Sequence, residues 1–210
     1  MAKGKTTREA ILAEALSQAV VLGLEGVTLG VLAGRLNLSK SGLFAHFKSK
    51  EALQVAVLEA GLERFRARVV APAFALPKGR GRVEALFANW LDWLEGVDGL
   101  PGCLLTTANQ EFTHRGGQDG GPGAGPGASP VRDMLVRAQV EWQGALRWAV
   151  TQAIATGEFR DGLDADLFVA RMNGTALAFQ QALKLLADVD ARPRAEAAFT
   201  ALLAEAARPA

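Results

Sequence analysis

A single cysteine in 210 residues excludes an internal disulfide, and with no CxxC pair and no HExxH string the chain carries no sign of a zinc site. That usage fits a reducing, cytoplasmic setting and a protein that needs no metal or other cofactor. No run reaches the ~18 apolar residues required to span a bilayer, so no membrane partner is expected. The opening stretch MAKGKTTREAILAEALSQ is interrupted by Arg8, Glu9 and Glu14 and so lacks the unbroken apolar core of a signal peptide. No internal repeat is evident, and strand-like alternation nowhere persists between turn signals, which leaves an all-α chain.

What is present is an ordinary globular composition, 50% hydrophobic and 21% charged, on a chain long enough to bury a sizeable core without covalent staples. The net charge of +1 conceals an imbalance. Residues 1–50 hold seven Lys or Arg against three Glu, a net +4, and the remainder carries −3. A basic head on a mildly acidic body expects a polyanion to meet the head alone.

Apolar periodicity and end signals divide the chain into helices. Thr6 with Glu9 three residues on reads as a capping box, opening a first helix that ends near Gly23 to Gly26. Thr28 is the expected N-cap of a short helix to Leu36, Ser39 that of a third, and Ser49 that of a fourth running to about Val70, where Pro72 should stop it. Further helices are expected over about 82–95, 103–112, 130–156 behind Ser129 and Pro130, 164–187 behind Asp164, and 192–207. Between them, HRGGQDGGPGAGPGASP is too rich in glycine and proline for regular structure and reads as a mobile loop.

Two short helices joined by a turn of a few residues have the spacing of a helix-turn-helix, whose second helix can enter a major groove. The surrounding string TREAILAEALSQAVVLGLEGVTLGVLAGRLNLSKSGLFAHFKSKEAL resembles the DNA-binding head of TetR/AcrR-family transcriptional regulators. The likeness runs through Ile11 and Ala15, Gly26, Thr28, Leu32 and Ala33, Leu38 and Ser39, Gly42, Leu43 and Phe44, His46 and Phe47, and Lys50 and Glu51. It implies a DNA-binding domain over residues 1–50 and a ligand-binding and dimerisation domain over 51–210.

The residues give physical reasons beside the resemblance. Lys3, Lys5 and Arg8 can reach phosphate across a groove edge, while the helix starts at Thr28, Ser39 and Ser49 offer backbone N–H groups to anionic oxygen. Lys50, a cation in the first turn of a helix, opposes the helix dipole unless an anion sits opposite, and a phosphate would supply one. Gly42 permits close approach to bases, with Lys40 and Ser41 beside it as readers, and His46 is expected at a phosphate because its family position matches. Two departures stand out. Phe44 occupies a position where the family commonly has a phosphate-binding tyrosine, so that contact should be missing, and Asn37 replaces a usual glycine in a turn that asparagine tolerates.

For the body, the resemblance implies a two-fold dimer and a pocket, with Gly102, Cys103 and Leu104 followed by Glu111 similar to a helix start found in one broad subgroup. Candidate lining residues are Phe87, Trp90, Leu91, Cys103, Leu104, Phe112, Trp142, Leu146 and Phe179, with Gln180, Asn109 or Gln110 as polar tips; for any single apolar one, core packing is the stronger reading. Such stripes suit a small hydrophobic effector. Small residues on the last two helices (Ala170, Gly174, Ala178, Ala182; Ala195, Ala198, Leu202, Ala206) permit close helix approach in a homodimer. The expected function is a ligand-responsive regulator, most simply a repressor, binding a palindromic double-stranded operator. Two other readings are weighed: a helical carrier without DNA binding, and thiol chemistry at Cys103, as a sensor or as a nucleophile with His114 and Glu111.

Overall fold

The computed structural model describes residues 2–96, 103–114 and 129–208, with the backbone alone for 2–6, 40, 44, 113 and 114. The helices are α1 (Ala2–Gly26), α2 (Leu29–Arg35), α3 (Lys40–His46), α4 (Lys50–Phe65), a π-helical turn (Arg66–Val70), α5 (Ala71–Phe74), α6 (Arg80–Glu95), α7 (Leu104–His114), α8 (Pro130–Ala155), α9 (Ala165–Lys184) and α10 (Ala191–Ala206). The all-α expectation holds: no strand forms among the described residues, only an isolated bridge between Phe159 and Ala207. Residues 115–128 of the predicted loop lie outside the described residues, as do 97–102 between the helices expected over about 82–95 and 103–112.

Two compact units share the chain. The first comprises residues 1–64 and 98–139, the second 65–97 and 140–210. In the first, Ile11, Leu16 and Leu24 of α1, Leu32 of α2, Leu43 of α3 and Leu53, Val57 and Leu58 of α4 form one buried aliphatic cluster with Leu104, Ala108, Val131 and Leu135. In the second, α6 packs on α9 and α9 on α10. There Phe87 stacks on Phe199 at 3.9 Å between ring centres, and Phe168 bridges Phe159 and Phe199.

Two expected boundaries need correction, while the end of the first helix near Gly23 to Gly26 is as expected. Helix α1 starts at Ala2, so Thr6 lies inside it rather than at its start; Gly4 does not interrupt it, and the alanine and lysines around that glycine continue a helix readily. At its other end α1 breaks at Gly23, whose φ of 79° only glycine adopts without strain. Pro72 does not stop a helix but sits in α5. The π-helical turn just before it absorbs the disruption: Ala71 N–H reaches five residues back to the Arg66 carbonyl, and Asn89 of α6 donates to the Val69 carbonyl at 3.1 Å.

Candidate nucleic-acid interface and effector site

The helix pair in the first unit is built by short-range polar chemistry. Thr28 Oγ1 accepts from Val31 N–H at 3.3 Å to start α2, and Ser39 Oγ accepts from Gly42 N–H at 3.0 Å to start α3. Asn37 turns the chain between them with φ 51°, the left-handed conformation that its short polar side chain tolerates. Ser41 Oγ lies 3.0 Å from Ser39 Oγ. Gly42 serves this cap directly, because a Cβ there would stand 3.1 Å from Ser39 Oγ. Ser49 Oγ likewise accepts from Ala52 N–H at 3.0 Å and starts α4.

Leu43 and Phe47 bury the inner side of α3, leaving Ser41 exposed and His46 half-buried. Lys3, Lys5, Lys40 and Phe44 have a described backbone only, within α1 and α3, so their proposed roles rest on position. Exposed Arg8 lays its guanidinium over the Phe47 ring, 5.2 Å from its centre. Lys48, which sequence reasoning passed over as a site residue, is exposed at the end of the α3 segment. Its charge was visible in the sequence, its accessibility was not.

The electrostatic argument for Lys50 is corrected. The anion opposite its ammonium is Glu25, whose carboxylate lies at 2.9 Å and whose backbone carbonyl lies at 3.2 Å. No phosphate is needed to reconcile the cation with the helix dipole, and Lys50 reaches DNA only by leaving an exposed pair worth about 0–1 kcal/mol. Arg35 is similarly spent on Glu14 at 2.9 Å. Gln18, then Arg35, hydrogen-bond Glu14 and hold its carboxyl below the ordinary carboxylate range.

A further junction ties α1 to its neighbours. Across the Gly23 break, Leu24 N–H donates to Glu111 of α7 at 3.0 Å, and a Cβ on Gly23 would fall 1.5 Å from the Glu111 carboxylate. Buried Gln54 of α4 donates to the Leu24 carbonyl at 3.2 Å and to Glu25 at 3.0 Å. Glu111 is thus engaged as a helix cap rather than as an orienter beside a nucleophile, and Cys103 is buried and free at the start of α7. The side chain of His114 lies outside the described residues.

The candidate effector residues fall into both units. Leu104 belongs to the aliphatic cluster of the first unit and Phe112 packs against it, while Asn109 is half-buried and Gln110 exposed on α7. Phe87, Trp90, Leu91, Trp142, Leu146 and Phe179 are all buried in the second unit, with Gln180 half-buried on α9. Of these, Trp90 and Trp142 meet edge to face at 5.1 Å, and two residues missed by sequence reasoning complete the group. Phe65 contacts Trp142 at 5.0 Å and Trp93 at 5.7 Å, both nearly perpendicular. Trp93 stood three residues from a named candidate on the same helix; Phe65, beside a π-helical turn, gave no signal.

On α9 and α10 lies a groove of about 510 Å3, lined by Gly174, Ala178, Ala182 and Ala198 and flanked by Arg171 and Arg194. Leu167, Leu177, Leu185, Leu186 and Val189 are exposed on and just beyond α9. Ala195, Leu202 and Ala206 are instead buried within the chain, so the small residues of α10 face mainly α9 itself.

A capped helix-turn-helix at the head of an all-helical chain is the architecture of a DNA-binding regulator. Comparison with known families agrees. The family described as "Bacterial regulatory proteins, tetR family" matches residues 11–57, and that described as "Tetracyclin repressor-like, C-terminal domain" matches 79–199. The chain belongs to the TetR family of transcriptional regulators. Among solved structures, a TetR transcriptional regulator from Chloroflexus aurantiacus is 26% identical, with 97% of this chain and 96% of that one covered and a TM-score of 0.78. A TetR-family regulator from Cytophaga hutchinsonii is 19% identical with coverage of 100% and 99% and a TM-score of 0.77. AibR, solved in complex with isovaleryl coenzyme A and operator DNA, is 19% identical over 90% of this chain and 94% of its own, with a TM-score of 0.68. No protein of curated function matches the chain significantly.

Proposed function

We propose that this regulator is a cytoplasmic repressor that holds a palindromic operator as a homodimer and releases it when a small hydrophobic effector binds its body. The observation that carries the reading is the capped pair α2 and α3, with Thr28, Asn37, Ser39 and Gly42 each in its required local geometry. Residues 1–50 are the DNA-reading segment, with Lys3, Lys5, Arg8, Lys40, His46 and Lys48 as phosphate contacts and Ser41 and Gly42 against base edges. Phe44 offers apolar contact without a hydroxyl. Residues 51–210 carry the effector and dimer functions, the latter through the open α9–α10 groove. Release follows from differential affinity: the effector prefers the conformation that fits the operator less well. AibR, caught with both an acyl coenzyme A and operator DNA, supports a family member of this fold meeting both kinds of ligand.

Binding to the DNA upstream of its own gene, measured by mobility shift between 50 and 200 mM salt, tests the reading. An affinity that falls at least roughly a thousandfold across that range is expected, since about six phosphate contacts already suffice for that and two protomers offer more. A chain that ignores all such fragments at low salt, with and without candidate effectors, is not a repressor of this kind. Cys103→Ser is expected to leave binding intact.

A further inference from the structure

Several of the second unit's buried polar groups bond to its own backbone. Arg82, although only 6% exposed, donates from Nη2 to the carbonyls of Phe74 and Leu76 at 3.3 and 2.6 Å and lies over the rings of Phe74 and Trp148, while its Nε has no hydrogen-bond partner among the described residues. The π-helical turn Arg66–Val70 disturbs the regular backbone pairing, and Asn89 of α6 answers it at Val69. One turn of the same helix then carries Trp93, 7% exposed, whose indole N–H is buried with no acceptor. Trp142 of α8, 8% exposed, is in the same state. Both indoles lie against one ring, that of Phe65, immediately before the turn.

Two buried donors without acceptors at one aromatic contact are an anomaly that packing does not explain, since phenylalanine presents the same kind of ring edge with no donor to satisfy. Helical irregularities of the π type are also frequent at functional sites, and this one adjoins the same ring. We infer that Trp93 and Trp142 are the polar recognition elements of the effector site, and that the effector is a neutral, largely apolar molecule whose carbonyl oxygen accepts from their indole N–H groups. This rests on the effector half of the proposed function. Donors without acceptors call for an acceptor in the ligand. A quaternary ammonium has no lone pair to accept from them. A carboxylate would bring a full charge among neutral donors and rings that cannot offset its desolvation. Ketones, esters and lactones meet every condition.

The four tryptophans give four indole N–H resonances, which makes the test direct on the full chain. Butyrophenone, butylbenzene, 4-phenylbutyrate and phenyltrimethylammonium serve as probes of similar apolar bulk. Butyrophenone is expected to bind about tenfold or more tightly than butylbenzene, by thermal shift, and to move two indole resonances downfield while that of half-exposed Trp148 stays. Trp93→Phe and Trp142→Phe assign the two resonances, and each should bring ketone and hydrocarbon affinities closer together. Should either variant fail to fold, the wild-type spectrum still decides. Four unmoved indole resonances at saturating butyrophenone, or equal shifts with butylbenzene, overturn the inference, as does tighter binding of the ammonium or the carboxylate. A mobility shift with the operator fragment, run without probe, separates the two readings: lost DNA binding with retained indole shifts removes the repressor and leaves this site standing.

Discussion

The two compact units spend their polar groups differently. In the first, hydroxyls, carboxylates and amides are committed to helix ends and breaks, as Thr28, Ser39, Ser49, Gln54 and Glu111 show, around a core of aliphatic residues. In the second, aromatic rings join the aliphatic core, and two buried indole donors and the Arg82 Nε have no acceptor among the described residues. Each such donor costs about 1–3 kcal/mol, comparable to the roughly 0.5–1.5 kcal/mol that an edge-to-face aromatic pair contributes. The contrast separates precision from availability. On the proposed reading, a head that places short helices against a duplex holds them by closed hydrogen bonds, whereas a body that accepts a ligand keeps donors open. Among the described residues, an exception in the first unit is Gln18, whose Oε1 has no partner while its amide holds Glu14.

The largest test bears on the second unit's surface. Ala178→Arg places a long cation in the α9–α10 groove, where the wild-type residue is exposed and tolerant. Light scattering should report a monomer of unchanged helicity, and operator affinity should fall by roughly 100-fold as the two heads lose their linkage. A dimer that persists moves the interface elsewhere. Truncation at Arg192 is a poorer test, because α10 buries Phe199, Leu202 and Leu203 within the chain.

Next in size is Gly23→Ala. Its positive φ and the Glu111 carboxylate in the space of a Cβ should cost about 2 kcal/mol, a drop of roughly 4–8 °C in Tm. Gly34→Ala, with nothing within 4 Å of its Cβ and a helical backbone, should be neutral or gain up to about 1 kcal/mol. Equal effects in the two variants would dissolve the claim that the first unit depends on its closed junction.

Smaller again is the difference between two neighbouring lysines. Lys48→Ala, which removes one contact from each protomer, should lower the slope of log affinity against log salt by about two, and Lys50→Ala by less, because Glu25 already pairs with Lys50. Identical slopes would mean that the pair opens fully on DNA. The smallest effect is acid sensitivity at Glu14. Its lowered carboxyl pKa contributes stability that is present above the unfolded value of about 4.3 and is lost as pH falls through the lowered folded value. The Tm gap between wild type and Glu14→Gln should therefore narrow from pH 7 to pH 3.

Much of the head was legible because its rules act within one helical turn. The hydroxyls of Thr28, Ser39 and Ser49 and the carboxylate of Asp164 bond N–H groups three residues on, and Asn37 takes the left-handed turn that its side chain allows. Lys50 shows where such reasoning fails. The dipole conflict was rightly noticed, but the anion that resolves it lies 25 residues back. Pro72 failed for a related reason, since a helix can change register just before a proline, here through the π-helical turn Arg66–Val70, and a neighbour such as Asn89 can satisfy a carbonyl of that turn. Among the effector candidates, apolar spacing identified buried residues without separating those that merely pack, such as Leu104, from those with unmet donors.

The amino-acid order alone determined an all-helical chain, the start of each capped helix and the capped pair that reads as a DNA-binding head, because caps, turns and apolar periodicity depend on residues within a few positions of one another. Only the tertiary structure decided that Glu111 closes the α1 break 87 residues away, that Glu25 claims Lys50, and that Phe65 meets Trp93 and Trp142 at a shared contact. Those pairings depend on the path of the whole backbone, which no local pattern encodes.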